Sequence, residues 1–94
     1  MFGFDWDDAN LGHIALHSVT REEAEEVLNG FAFEVDFYTV DGEERVEELG
    51  MTRAGRILKI VTTVRSGLVR VVTAYDAVKA EKLAYPEYQK RLYD

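Results

Sequence analysis

Residues Leu49–Tyr75 read LGMTRAGRILKIVTTVRSGLVRVVTAY. The chain has 94 residues with 18 acids and 11 bases, yet this stretch holds no Asp or Glu and carries Arg53, Arg56, Lys59, Arg65 and Arg70. From Arg56 to Arg65 the residues are β-branched and apolar on both faces in the middle of the run, as a central strand requires. Ser66-Gly67 closes a hairpin to Leu68–Ala74, and Arg53–Gly55 makes the preceding turn. The only strongly basic part of the chain is therefore predicted to be a rigid pair of strands, with arginines presented from a sheet.

Upstream, the strand period continues. Phe31, Phe33, Val35 and Phe37 alternate with Ala32, Glu34, Asp36 and Tyr38, which describes a strand buried on one side. Asp41-Gly42 signals a turn, and Glu43–Met51 is a second strand rich in Glu. Four antiparallel strands in a meander result.

Helices flank the strand block. Thr20 with Glu23 forms a capping box, Val19 serves as a staple, Ala24, Val27 and Leu28 make the apolar face, and Gly30 is a C′ stop, the position where a left-handed glycine ends a helix. Before it, Asp7 or Asp8 caps a helix to about His17, with Leu11, Ile14 and Ala15 as its buried stripe and Asn10, His13 and His17 on the adjacent face. Phe2–Trp6 reads as an edge strand or an N-terminal arm. Asp76 caps a last helix through Ala77, Ala80, Leu83 and Ala84, which Pro86 bends or ends. The expected fold is a single α+β domain over residues 1–94: two N-terminal helices, a four-stranded antiparallel meander and a C-terminal helix.

Composition narrows the function. No cysteine is present, so disulfides and thiolate metal sites are excluded, as fits a reducing cytoplasm. The N-terminal decapeptide places acids where a signal peptide needs bases, and no apolar run approaches the ~18 residues of a membrane span, so no membrane partner is expected. Residues 1–48 carry 14 acids and two bases, which disfavours non-specific nucleic-acid binding by the whole molecule and leaves Leu49–Tyr75 as the local basic face.

His13 and His17 lie one helical turn apart, a spacing open to a divalent metal, to acid/base work or to a plain surface role. No nucleophile elbow, glycine-rich phosphate loop or isolated carboxylate pair occurs. The arginine set itself reads either as a solvated sheet face bridged to the Glu-rich strand or as a phosphate-binding surface. Cleavage of RNA through its 2′-OH needs a base at that oxygen, positive charge at the phosphate and an acid for the leaving 5′-oxygen. Arginine with His, Glu, Lys or Tyr supplies that inventory.

Taken in order, these residues resemble the BrnT family of toxins from bacterial type II toxin–antitoxin pairs, within the RelE-like group of small ribonucleases. Phe4-Asp5-Trp6-Asp7 is similar to the family's F-E-W-D opening, and His13–Leu28 (HIALHSVTREEAEEVL) to its K-H-G-V-S-x-E-E-A segment. Glu44-Arg45, Leu49-Gly50-Met51 and Gly55-Arg56 resemble E-R-x-x-x-x-G-x-x-x-x-G-R. Arg65, Arg70, Thr73-Ala74, Glu81 and Tyr85 fall at the spacing of T-x-R-G, R-I-I-S-A-R and a terminal E-x-x-x-Y.

The resemblance implies a RelE-like fold, RNA cleavage without metal or other cofactor, and neutralisation by a cognate antitoxin in a heterotetramer. It implies His17, Arg45, Arg65 and Arg70 as catalytic residues, and the phenol of Tyr75 is expected to join them as a hydrogen-bond or proton donor. Arg53, Arg56 and Lys79 follow as further RNA contacts, with Glu81 in support. Three positions depart from the pattern: Leu16 stands where the family has Lys, Ser18 where it has Gly, and Tyr75 where it has a second Arg. Loss of that Arg removes a charge-assisted contact of a kind worth ~1.5–3 kcal/mol. The alternative reading is accordingly a catalytically weakened or inactive member, binding a protein through its arginine-bearing sheet face.

Overall fold

The computed structural model describes residues 3–93. Its elements are α1 (Asp8–Ala15), α2 (Arg21–Asn29), β1 (Phe33–Val40), β2 (Glu43–Met51), β3 (Ile57–Arg65), β4 (Leu68–Asp76) and α3 (Lys79–Tyr93). The strands form one antiparallel sheet in the order β1-β2-β3-β4. This is the α+β layout expected from the sequence.

The tight hairpins follow from turn chemistry. Asp41 and Gly42 have φ of 52° and 82°, and Ser66 and Gly67 have 53° and 77°. Two consecutive left-handed residues match the right-handed twist of the flanking strands. The α2 capping box is formed, with Thr20 Oγ1 accepting from the Glu23 amide at 3.1 Å and Glu23 Oε1 accepting from the Thr20 amide at 3.1 Å.

Helices cover both faces of the sheet. On one, α1 and α2 seat Ile14, Val19, Ala24 and Val27 against Leu58, Ile60, Val71 and Ala74. On the other, α3 places Tyr85 with Leu49 and Ala77, while Phe33 meets Tyr85 edge-on at 5.8 Å and stacks on Tyr88 at 5.5 Å. Strand β3 alternates Ile57 toward α3 with Leu58 and Ile60 toward α1 and α2, which is why its sequence is apolar on both sides.

Five local expectations are corrected. Phe31 lies outside the strand and is 74% exposed. A β-bulge between Glu34 and Asp36 then reverses the alternation, so Phe37 faces out and Tyr38 and Val40 are half-buried. In α1, which ends at Ala15, Asn10 and Ile14 are the buried pair while Ala15 is exposed. Asp76 ends β4 and does not cap a helix; α3 starts at Lys79, with Glu81 Oε1 accepting from the Val78 amide at 2.9 Å. Gly30 stops α2 with a φ of −95°, not in the left-handed region.

The N-terminal arm runs parallel along the outer edge of β4. Phe4 bridges Val69, the Asp5 amide donates to the Val69 carbonyl at 2.9 Å, and the Val69 amide to Gly3 at 3.0 Å. Phe2, the first residue of the expected arm, lies outside the described residues. The α3 contacts Phe33, Leu49 and Ile57 occupy one end of the sheet, and the other end of that face is left to the arginines.

Candidate nucleic-acid interface

Strand parity decides which basic residues share a surface. Arg45, Glu47 and Leu49 alternate onto the α3 face of β2, and Lys59, Thr63 and Arg65 onto the same face of β3. Register pairs Lys59 with Tyr75 and Thr63 with Arg70. Five positions separate Arg70 from Tyr75, an odd interval that would put them on opposite faces. An extra β4 residue, Val72, sits opposite the Val61–Thr62 step and restores them to the same side.

Arg45, Arg65 and Arg70 consequently line one cleft of about 270 Å³, with Thr63 at its floor and Ala9, Asn10 and His13 of α1 along its rim. Asn10 fixes that rim. Its amide nitrogen donates to the Asp5 carbonyl at 2.9 Å and the Val71 carbonyl at 3.2 Å, and its oxygen accepts from the Asp7 amide at 2.8 Å.

Each arginine in the cleft has an acidic neighbour. Arg45 Nε donates to Glu43 at 3.0 Å, and Arg65 Nη2 lies 3.9 Å from the other oxygen of the same carboxylate. Arg65 is the most open of the three, with 55% of its side chain exposed. Arg70 is the most enclosed, at 11%. Its Nη2 donates to Asp7 at 3.0 Å, while the buried Nη1 lies 3.0 Å from Asp7 and 3.5 Å from Asp5 without hydrogen-bond alignment. The Arg70 hydrogen bond, reinforced by the Asn10 amide, holds the Asp7 carboxyl below its usual value.

Next to the cleft stands a second polar cluster. Lys59 pairs with Glu47 at 2.9 Å and with Glu81, and the Tyr38 hydroxyl donates to Glu47 at 2.7 Å. Burial pulls the Lys59 pKa down, but the two carboxylates outweigh it and the ammonium is held charged well above its usual range. The hydrogen bond to Glu47 raises the Tyr38 phenol. Burial raises Glu47, and donation from Lys59 and Tyr38 outweighs that and lowers it.

His17 follows the end of α1, exposed, with its ring edge-on to Tyr75 at 5.8 Å and 5.9 Å from His13. His13, Arg45, Arg65 and Arg70 thus surround the cleft, with His17 and Tyr75 linked to it through His13. Among the described residues no group of three or more His, Cys, Asp and Glu is arranged around a common metal position.

The remaining residues singled out from the sequence lie elsewhere. Arg53 is exposed at the β2–β3 turn, and Lys79 is exposed at the start of α3. Arg56 is a clamp: Nε donates to Asp76 at 2.8 Å, Nη1 to Glu23 at 3.1 Å and to the Ser18 carbonyl at 2.6 Å, and Nη2 to the His17 carbonyl at 3.2 Å. Glu81 supports Lys59 and no arginine. Sequence reasoning passed over Asp5, Asp7, Tyr38, Glu47 and Lys59 as a constellation. Lys59, a lone charge inside the apolar run of β3, was the available signal, because a buried ammonium demands carboxylate partners.

Fold and cleft together define a class: a small α+β domain that gathers arginines at the open end of one sheet face. The family model described as ribonuclease toxin, BrnT, of type II toxin–antitoxin systems matches residues 6–81, and the chain belongs to that family. The family implies an antitoxin protein as partner. No curated protein matches the chain. No helix among the described residues is long and apolar enough to cross a membrane.

Proposed function

We propose that the chain is an RNA-cleaving toxin acting in the cytoplasm without a metal, neutralised by its antitoxin in a heterotetramer. The observation that carries this reading is the convergence of Arg45, Arg65 and Arg70 on one cleft beside His13. In the proposed step the RNA 2′-oxygen attacks the adjacent phosphorus and the bond to the 5′-oxygen breaks. The 2′-OH proton passes to a base and the leaving 5′-oxygen takes a proton from an acid, giving a 2′,3′-cyclic phosphate and a 5′-hydroxyl. Arg45, Arg65 and Arg70 stabilise the charge that develops on the phosphoryl oxygens. His17 and Tyr75 carry the proton transfers, with Lys79 as an outlying RNA contact and Glu81 supporting the sheet through Lys59.

The test is cleavage of end-labelled single-stranded RNA by purified protein, together with growth on induction. Wild type is expected to arrest growth and leave cyclic phosphate ends, and Arg65→Ala to slow cleavage about tenfold to a hundredfold. Intact RNA and normal growth with folded protein present would overturn the reading.

A second reading rests on the carboxylates of Glu43, Asp5 and Asp7, which already occupy the cleft arginines. It describes a weakened member whose sheet face meets an acidic partner segment. Co-purification of a partner that Arg65→Ala abolishes, with no RNA cleavage at micromolar protein, would favour it.

A further inference from the structure

On the α2 side, away from the arginine cleft, a groove of about 620 Å³ lies between α2, the β2–β3 turn and α3. Its apolar floor includes Phe31 and Met51, which are 74% and 39% exposed, and Tyr85, which is buried. Glu22, Glu25 and Glu26 of α2 form its rim. An aromatic ring left this open next to a second large apolar side chain marks a surface that gains by being covered. Met51 and Arg53 stand at the end of the sheet opposite Arg45 and Arg65, so an occupant here leaves the arginine cleft free.

The charge of the rim selects the occupant. Three carboxylates outnumber Arg53, the single cation of the lining, and so disfavour nucleic-acid phosphate and anionic lipid. A second copy of a chain with net charge −7 is disfavoured for the same reason. Lysine or arginine side chains complement the rim, and an apolar anchor complements Phe31. We propose that this groove docks a basic, amphipathic segment of the antitoxin, holding it by a surface separate from the RNA cleft. The proposal is independent of whether the cleft cuts RNA, because neither Arg45 nor Arg65 takes part.

The protein carries its own reporter. Trp6, the single tryptophan, donates its indole N–H to Glu25 Oε2 at 2.7 Å, and that carboxylate lines the groove. The probe is a synthetic 14-residue helical peptide with lysines along one face and leucine and phenylalanine along the other. Its titration is followed by Trp6 fluorescence and by amide shifts of the full chain. Saturable changes at Phe31, Met51 and Glu22 are expected. Glu22→Lys and Phe31→Ala, both at exposed positions, are each expected to weaken binding at least about tenfold with the fold unchanged.

A peptide with glutamate replacing every lysine binding equally well would overturn the proposal, as would shifts centred on Arg45 and Arg65. No change at millimolar peptide would do the same. Sedimentation showing a dimer that Phe31→Ala dissociates would assign the groove to a second copy instead. RNA binding measured with the peptide saturating separates the two surfaces: unchanged affinity is expected, and displacement of RNA would overturn the separation.

Discussion

Arg70 and Asp7, 63 positions apart in sequence, meet with Nη2 donating to Oδ1 at 3.0 Å and Nη1 lying 3.0 Å from Oδ2. Asp7 is also the N-cap of α1, accepting from the Asn10 amide. One carboxylate therefore fixes the start of a helix, joins it to the edge strand and neutralises an arginine of the cleft. Asp7→Asn isolates the last two roles, since Asn caps a helix as well as Asp. The Arg70 bond holds the Asp7 carboxyl below its ordinary value near 3.8. Its stabilisation is thus present above that pH and is lost as pH falls through the lowered folded value. The variant is expected to be less stable than wild type at pH 7, with the gap closing below pH 3.8 in urea melts. Freed of its nearer counter-ion and left with Asp5 at 3.5 Å, Arg70 is expected to raise affinity for a single-stranded RNA, with a steeper salt dependence.

Lys59 organises the neighbouring cluster, and Lys59→Met removes its charge at nearly constant shape. Glu47 and Glu81, both mostly enclosed, then lose their shared cation. Breaking such a pair from one side costs about 3 kcal/mol. Glu47 has a lowered pKa in the folded chain, so its contribution is present above the ordinary value of 4.5 and disappears as acid protonates it. Wild type should therefore lose stability on acidification below pH 4.5 faster than the variant, measured by denaturant midpoints across pH.

Gly50 lies where Val27 of α2 packs tightly on the sheet. A Cβ built there would stand 2.6 Å from Val27 Cγ1 and 3.5 Å from Ala32. Gly50→Ala is expected to destabilise by about 1–3 kcal/mol through overpacking. Val27→Ala in the same chain should recover part of that loss, a coupling that a double-mutant cycle in urea reads directly.

Residue type signals some of this architecture and is silent on the rest. Thr20 and Glu23 announce α2 because both halves of the capping box lie within one helical turn. Asp41-Gly42 and Ser66-Gly67 announce the hairpins because few other pairs accept two positive φ values. The bulges carry no such mark: Val35 and Val72 are valines of ordinary strand character, indistinguishable from paired neighbours. Yet they decide that Phe37 faces out, and that Arg70 and Tyr75 share a side. Arg45, Arg65 and Arg70 were visible as an arginine set because charge is sharply segregated along the chain. Their acidic partners were not, since Asp5 and Asp7 reach Arg70 through long-range packing. Asp76 shows the same limit: it precedes a helix in sequence, but its carboxylate takes Arg56 from the β2–β3 side.

That Arg56 contact yields the sharpest separation between structure and chemistry. Its guanidinium joins Glu23 of α2, Asp76 of β4 and the carbonyls of His17 and Ser18, and 24% of its side chain is exposed. Ser18 has a φ of 57°, a conformation that a non-glycine residue adopts at some cost and that the clamp helps to hold. Arg56→Ala is expected to cost about 1.5–3 kcal/mol in chemical denaturation. Arg56→Lys should restore little of it, because an ammonium cannot span four acceptors spread around a planar fork. Release of the His17 carbonyl should also free the His17 ring from Tyr75, read as a shift of the imidazole resonances. A variant that keeps wild-type stability and an unmoved His17 resonance would show that Arg56 serves a ligand and not the fold.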